Sequence, residues 1–224
     1  MINVRLLRLC FLSVVVATAL SFAQTGQSLL KIESPANGSV VSPGQTVKIR
    51  VVSATSAAIS FVGVVGEDPL GMSELAKSVP AEFSITIPSK INACRRYMVT
   101  AIGRTPGDAE LLESTIDLDI ERPDTPVSIV SFQFPSVTLV ADPKAQPFHL
   151  IILATFADRS NVEVTESSYV TYQSTNEAVA KLEGFGGVTA VAPGTASIKV
   201  TYKNPNGGSV QVSVPVIVGS PSKD

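Results

Sequence analysis

The sequence predicts an all-β protein of two tandem β-sandwich domains that follow an N-terminal signal peptide. Short alternating runs of apolar and polar residues are separated by turn residues, and apolar patterns of helical period are almost absent. Hydrophobic residues make up 45% of the chain and charged residues 16%, which favours a buried core over disorder. The roughly 200 residues after the signal suffice for two domains of about 100 residues each.

The first 23 residues have the pattern of a secretory signal. Arg5 and Arg8 precede an apolar stretch over residues 9–20, and Ser21-Phe22-Ala23 provides small residues for cleavage after Ala23. The apolar stretch is shorter than the roughly 20 residues of a membrane-spanning helix. Cys10 lacks the small preceding residue of a lipid-modified cysteine. We therefore expect an exported protein, periplasmic, cell-surface or extracellular, with no stable membrane insertion after cleavage.

Charge and cysteine content exclude two classes of protein. The chain has 17 Lys+Arg and 19 Asp+Glu, and loss of the two signal arginines changes the net charge from −2 to 15 − 19 = −4. Without a basic cluster, no nucleic-acid partner is expected. Cleavage also removes Cys10 and leaves Cys94 as the single cysteine, so we expect no internal disulfide.

The first sandwich is predicted over residues 24–122. Its candidate strands are residues 29–33, 46–52, 58–65, 82–87, 97–103 and 111–121. Residues 73–77, inside a long connection, are the one stretch with the composition of a helical turn. In the last strand Asp117, Asp119 and Glu121 alternate with apolar residues, and we expect these acids to form a solvent-exposed face.

A polar segment with two prolines, Pro123 and Pro126, predicts a short linker at residues 123–126. The second sandwich is predicted over residues 127–219, followed by a tail at 220–224. Its candidate strands are residues 127–134, 137–140, 149–156, 162–164, 169–173, 179–182, 188–191, 196–202 and 210–218. Many short strands at this spacing indicate a sandwich or barrel.

Three segments of the second half occur in a specific order: TFADRSNVEVT at 155–165, YQSTNEAVA at 172–180 and GVTAVAPGTASI at 187–198. In this order they resemble the bacterial immunoglobulin-like domain of group 2. Tyr172 stands where that family usually has Trp, and Asp142-Pro143-Lys144 replaces its usual turn glycine. The resemblance implies an immunoglobulin-like sandwich for extension and binding, with no catalytic residues.

The first half resembles, more loosely, bacterial immunoglobulin-like or fibronectin type III sandwiches. The similarity lies in SPANGS at 34–39, in the turn Ser42-Pro43-Gly44, and in the strand that starts at Tyr97. In such sandwiches the strand tyrosine often bonds back to a neighbouring corner. The resemblance therefore implies the same fold class for both halves.

The candidates for chemistry are few. His149 is the single imidazole and lacks a visible Ser or Asp partner, and Cys94 beside Arg95 and Arg96 lacks a base, so both are read as structural. Glu121 and Asp124 at the junction are an alternative, less favoured, as calcium ligands, because calcium takes six or more oxygens and only these two acids are local. We predict no catalytic, cofactor-binding or metal-ligating residues and no cofactor.

The sequence therefore predicts an exported, non-catalytic interaction or spacer module that recognises its partner through sandwich-end loops or a sheet edge. The partner is an unknown surface protein or polysaccharide. The alternatives are a carbohydrate-binding accessory protein and, less favoured, a small secreted hydrolase. Sugar binding would need exposed aromatic rings, and the chain has no Trp and four tyrosines, at positions 97, 169, 172 and 202.

Overall fold

A computed structural model of the chain describes residues 29–107, 111–133 and 136–220. The predicted signal peptide and residues 221–224 of the predicted tail lie outside this range. The described residues form strands and no helices, which confirms the all-β prediction. Accordingly, none of these residues belongs to a helix that could cross a membrane.

The chain before residue 121 forms two sheets in its described part. Strands β1, β3 and β5 pair antiparallel in the order β1-β3-β5, and the second sheet has the order β2-β7-β6-β4, in which β2 runs parallel to β7. These strands are β1 (Leu30–Ser34), β2 (Ser39–Val41), β3 (Thr46–Ser53), β4 (Phe61–Gly66), β5 (Ala81–Thr86), β6 (Arg95–Arg104) and β7 (Leu112–Ile120).

The chain after residue 127 forms three sheets in its described part, with the orders β12-β11-β8, β13-β16-β17-β9 and β10-β15-β14. Strand β9 runs parallel to β17, and the other pairs are antiparallel. The strands are β8 (Ser128–Ser131), β9 (Val137–Val140), β10 (Phe148–His149), β11 (Ile152–Thr155), β12 (Val162–Glu163), β13 (Val170–Ser174), β14 (Ala180–Glu183), β15 (Gly187–Ala190), β16 (Gly194–Lys203) and β17 (Ser209–Gly219).

No described strand pairs across residues 121–127. Each half therefore has its own sheets, which agrees with two sandwiches in tandem. The domain bounds 24–122 and 127–219, and the linker at 123–126, stay predictions that limited proteolysis can test.

Alternation along the strands builds the core of each half. Val47, Ile49 and Val51 of β3 are buried between exposed or half-buried neighbours, and β16 buries Ile198 and Val200 in the same way. Burial of a Val or Ile side chain stabilises a fold by roughly 1.5–3 kcal/mol. These period-2 rows therefore fix which face of each sheet points inward.

The predicted helical turn at residues 73–77 is wrong. Met72 and Ala76 instead form antiparallel bridges to Val65 and Val62, along the edge of β4 that β6 does not use. The N–H of Val62 donates to the carbonyl of Ala76, and the N–H of Ala76 donates back, at 2.9 and 2.8 Å. A single helical turn is unfavourable to nucleate, whereas this edge offers unpaired backbone groups.

The predicted strand at residues 149–156 is divided in two. Strand β10 pairs with β15, whereas β11 pairs with β8 and β12. At the break, the side-chain oxygen of Gln133 accepts from the N–H of Ile151 at 3.1 Å, and the hydroxyl of Thr165 accepts from the N–H of Ile152 at 2.9 Å. Side chains thus replace ladder bonds where the strand changes sheets.

Candidate functional site

The segment at residues 121–126, which we call the junction, is bonded to loops of the second half. The guanidinium of Arg122 donates to both oxygens of Asp124 at 2.9 and 3.0 Å and to Asp158 at 2.7 Å. It also lies 4.4 Å from the centre of the Phe156 ring. The hydrogen bonds to Asp124 and Asp158 raise the pKa of Arg122. In turn, the hydrogen bond between Arg122 and Asp158 lowers the pKa of Asp158.

Two further bonds tie the junction to the loop between β16 and β17. The hydroxyl of Thr125 donates to the carbonyl of Gly207 at 2.7 Å, and the side-chain amide of Asn204 donates to the carbonyl of Pro123 at 3.0 Å. Asn204 is itself buried, so this bond satisfies a donor that water does not reach. The junction is therefore bonded to the second half and is not a linker without contacts.

Glu121, the first residue of the junction, is only 1% exposed. One carboxylate oxygen accepts from the hydroxyl of Ser167 at 2.8 Å. The other accepts from the backbone N–H and the hydroxyl of Ser168 at 2.7 and 3.1 Å. Burial raises the pKa of this carboxyl, although the three hydrogen bonds act to lower it.

The expected solvent-exposed row of acids is therefore wrong. Asp119 is 5% exposed and accepts from the guanidinium of Arg96 at 2.9 Å, and Asp117 is half-buried with Arg96 at 3.9 Å. Arg96 in turn lies 5.1 Å from the centre of the Phe185 ring, which belongs to the second half. The alternation of β7 is as expected, but residues far along the chain cover its polar face at the junction end.

The other candidate side chains are not brought together into a reactive arrangement. Cys94 is buried directly before β6, and burial together with the charge of Glu121 raises the pKa of its thiol to about 12. His149 lies exposed on β10 in the other half of the chain. None of the described hydrogen bonds joins these two residues. Among the described residues, no group of three His, Cys, Asp or Glu side chains is placed to hold a metal ion.

The tyrosines are packed into the two halves. The hydroxyl of Tyr97 donates to the carbonyl of Asn92 at 2.8 Å, which is the expected bond to a neighbouring corner. Tyr202 is fully buried and meets the Tyr169 ring edge to face, with centroids 5.9 Å apart. Tyr172 is half-buried, so it is less buried than a core residue would be at the position where the family usually has Trp. Its hydroxyl donates to the carbonyl of Thr165 at 2.8 Å.

Two clefts open beside the junction. The larger, of about 450 Å³, lies between residues 89–93 of the first half and Pro123, Asp158 and Arg159. The smaller, of about 180 Å³, is lined by Asn92, Cys94, Arg95, Glu163 and Glu166. The sequence points to Glu121 and Asp124 but not to Ser167, Ser168 or Asp158, because the approach of these residues depends on contacts between positions far apart in the chain.

The sheets and their paired strands define a tandem β-sandwich protein with an immunoglobulin-like second half. Residues 150–214 match the family described as the bacterial Ig-like domain (group 2). This match confirms the resemblance of the C-terminal half to that family. In a search of the curated proteins, no sequence matches the chain.

The solved structures that the chain matches share little sequence with it. The fibronectin(III)-like modules of Clostridium thermocellum CbhA are 16% identical, with 85% of this chain and 94% of that chain covered and a TM-score of 0.37. For Bacteroides uniformis β-glucuronidase 3 the identity is 12%, the coverage 85% and 25%, and the TM-score 0.39. For mouse cadherin-23 EC22-24 the values are 14%, 87% and 67%, and 0.30. Likenesses this distant carry no functional argument.

Proposed function

We propose that the protein is an exported, non-catalytic bacterial module that acts as a spacer or interaction module of the periplasm or cell surface. The observation that carries the proposal is the junction, where side chains of the second half hold residues 121–126 in place. A chain of two sandwiches with a bonded junction presents its loops at a defined separation. That is the physical requirement for a spacer, and it needs no reacting group.

We propose that the protein recognises its partner through loops or through an open sheet edge. Strand β8 lies at the end of its sheet, and Val130 and Phe132 beside that edge are exposed, Phe132 by 68%. By contrast, Met72 and Ala76 occupy the free edge of β4. The β8 edge is therefore the better candidate for pairing with a strand of a partner.

Cell fractionation and N-terminal sequencing test the export part of the proposal. We expect the protein outside the cytoplasm, with Gln24 as its first residue, because Ser21-Phe22-Ala23 precedes that position. A membrane-bound product that retains Met1 would contradict both cleavage and release.

Activity assays on the purified protein test the non-catalytic part. We expect no hydrolase activity that depends on His149 or Cys94. His149 is exposed, with no catalytic partner placed beside it in the described part of the chain, and Cys94 is buried with a raised pKa. Loss of a reproducible activity in a folded His149→Ala or Cys94→Ala variant would show that the protein is an enzyme.

The carbohydrate-binding alternative has one specific observation in its favour, the exposed ring of Phe132. Sugar rings stack on exposed aromatic side chains, and the four tyrosines are buried or half-buried. Retention on insoluble polysaccharide that is lost in Phe132→Ala, but kept in Phe185→Ala, would favour this alternative over the spacer.

A further inference from the structure

Glu121 is a buried carboxylate without a cationic partner among the described residues. Two arginines close to Glu121 are already bonded to other acids: Arg122, the next residue, to Asp124 and Asp158, and Arg96, on the neighbouring strand β6, to Asp119. Glu121 accepts instead from two serine hydroxyls and one backbone N–H. Burying an ionised carboxylate costs free energy because the charge loses its water, and here no counter-ion among the described side chains offsets that cost.

The groups that face Glu121 do not remove that cost. Asp119, two residues earlier in the chain, carries the same sign of charge and adds to the rise in the pKa of Glu121. Cys94, Tyr169 and Tyr202 face it as neutral groups, because burial raises the pKa of each. Arg122 and Asp124 form an ion pair beside it whose charges offset each other.

The hydrogen bonds of Glu121 join two distant parts of the chain. Glu121 directly follows β7, whereas Ser167 and Ser168 precede β13 in the second half. If the contact opens, the carboxyl reaches water and its pKa returns to the ordinary value of 4.5. Opening therefore favours the ionised form, and closing favours the protonated form.

From this geometry we propose that Glu121 is a proton-sensitive latch between the two halves, closed when its carboxyl is protonated and loosened when it ionises. In the neutral acid, one oxygen still accepts from the N–H and hydroxyl of Ser168, and no buried charge remains. The sign follows from linkage: a raised pKa in the closed state gives a contact that is strongest below pH 4.5 and weakens as the pH rises through the raised value. This inference concerns the isolated protein and does not depend on its partner.

Carbon-13 NMR of the assigned Glu121 carboxyl and hydrogen exchange of the Ser168 amide test the latch in the full chain. We expect the carboxyl to titrate above pH 4.5. After correction for the intrinsic pH dependence of exchange, the protection of the Ser168 amide should fall as the pH rises. Between low pH, where Glu121 is protonated, and high pH, where it is ionised, the ratio of closed to open contact should drop. The drop is about tenfold for each pH unit by which the pKa in the closed contact exceeds the ordinary value.

Glu121→Gln is the decisive variant, because its amide imitates the protonated acid in size and hydrogen bonding. We expect it to keep the Ser168 amide protected at every pH, whereas the matched charge-removing variant Glu177→Gln, in the exposed turn after β13, should behave as the wild type. Titration of the wild-type Glu121 carboxyl at or below pH 4.5 would overturn the proposal even if the variants failed to fold. So would equal loss of Ser168 protection in Glu121→Gln and the wild type.

Discussion

Tyr172 and Tyr202 make opposite use of their hydroxyl groups. The hydroxyl of Tyr172 donates to the carbonyl of Thr165, whereas that of Tyr202 is buried and has no hydrogen-bond partner among the described residues. A hydrogen bond contributes roughly 1 kcal/mol net, but a buried hydroxyl without a partner costs free energy. The two residues therefore allow a matched comparison, in which a Tyr→Phe substitution removes the hydroxyl group at each position.

We predict that Tyr172→Phe lowers the free energy of unfolding by about 1 kcal/mol, whereas Tyr202→Phe leaves it unchanged or raises it. Tyr172→Ala should cost about 3 kcal/mol, the lower end for aromatic truncation, because the side chain is only half-buried. Denaturant unfolding of the three variants measures these changes. Equal losses in the two Phe variants would show that the Tyr202 hydroxyl has a partner.

Cys94 should be unreactive in the folded protein. With a pKa of about 12, only about 10⁻⁴ of the thiol is ionised at pH 8, compared with roughly a quarter of a free cysteine. We predict that a disulfide reagent labels the native protein at least about 100-fold more slowly than the same protein in guanidinium chloride. Similar rates in the two states would show that the thiol is accessible.

At this scale the sequence predicts which residues alternate but not what covers them. The alternation of Asp117, Asp119 and Glu121 with apolar neighbours is correct, yet the acids at the junction end are buried. Their cover comes from Arg96 on the neighbouring strand β6 and from Ser167 and Ser168. No local pattern records contacts between residues so far apart in the chain.

The hairpin of β14 and β15 shows why the family-like segment starting at residue 187 begins with glycine. A Cβ at Gly187 would lie 2.3 Å from the carbonyl oxygen of Glu183. This oxygen is a backbone atom, so it can move away only if the strand moves with it. At Gly219 the nearest atom to an added Cβ is the Leu139 carbonyl oxygen, at an ordinary 3.8 Å. The two positions therefore separate crowding from the general effect of replacing a glycine.

We predict that Gly187→Ala lowers the free energy of unfolding by about 1–3 kcal/mol, as other overpacking substitutions do. Gly219→Ala should change it by no more than about 0.5 kcal/mol. Thermal unfolding of both variants provides the comparison. A stable Gly187→Ala protein would mean that the hairpin can widen to admit the methyl group.

The strands themselves were largely predictable, because alternation and turn residues mark them locally. Strand β2 was missed because it has three residues and gains its order from parallel pairing with β7. The break between β10 and β11 was missed because it depends on Gln133 and Thr165. In both cases the deciding partner lies outside the local window.

In the whole molecule, the junction decides whether the two halves form an extended particle. Pro123 and Pro126 restrict the backbone, and Arg122 and Thr125 are bonded to the second half. The oxygens of Glu121 and Asp124 already accept hydrogen bonds, with which a calcium ion would have to compete.

We predict an elongated particle whose radius of gyration exceeds the roughly 17 Å of a single globule of this length. Small-angle scattering at constant pH should give the same value with calcium and with chelator. A compact particle would contradict the spacer proposal. A particle that lengthens on calcium addition would instead identify the junction acids as a metal site.

The parallel pairing of β9 with β17 affects how the second half responds to mechanical load. Residues 137–140 pair in register with residues 216–219, close to the start and the end of that half. A force that pulls these ends apart draws the two strands in opposite directions along their common axis. Because the evenly spaced hydrogen bonds of a parallel pair are then loaded together and not one after another, we expect the second half to resist stretching more strongly than a hairpin opened from its end.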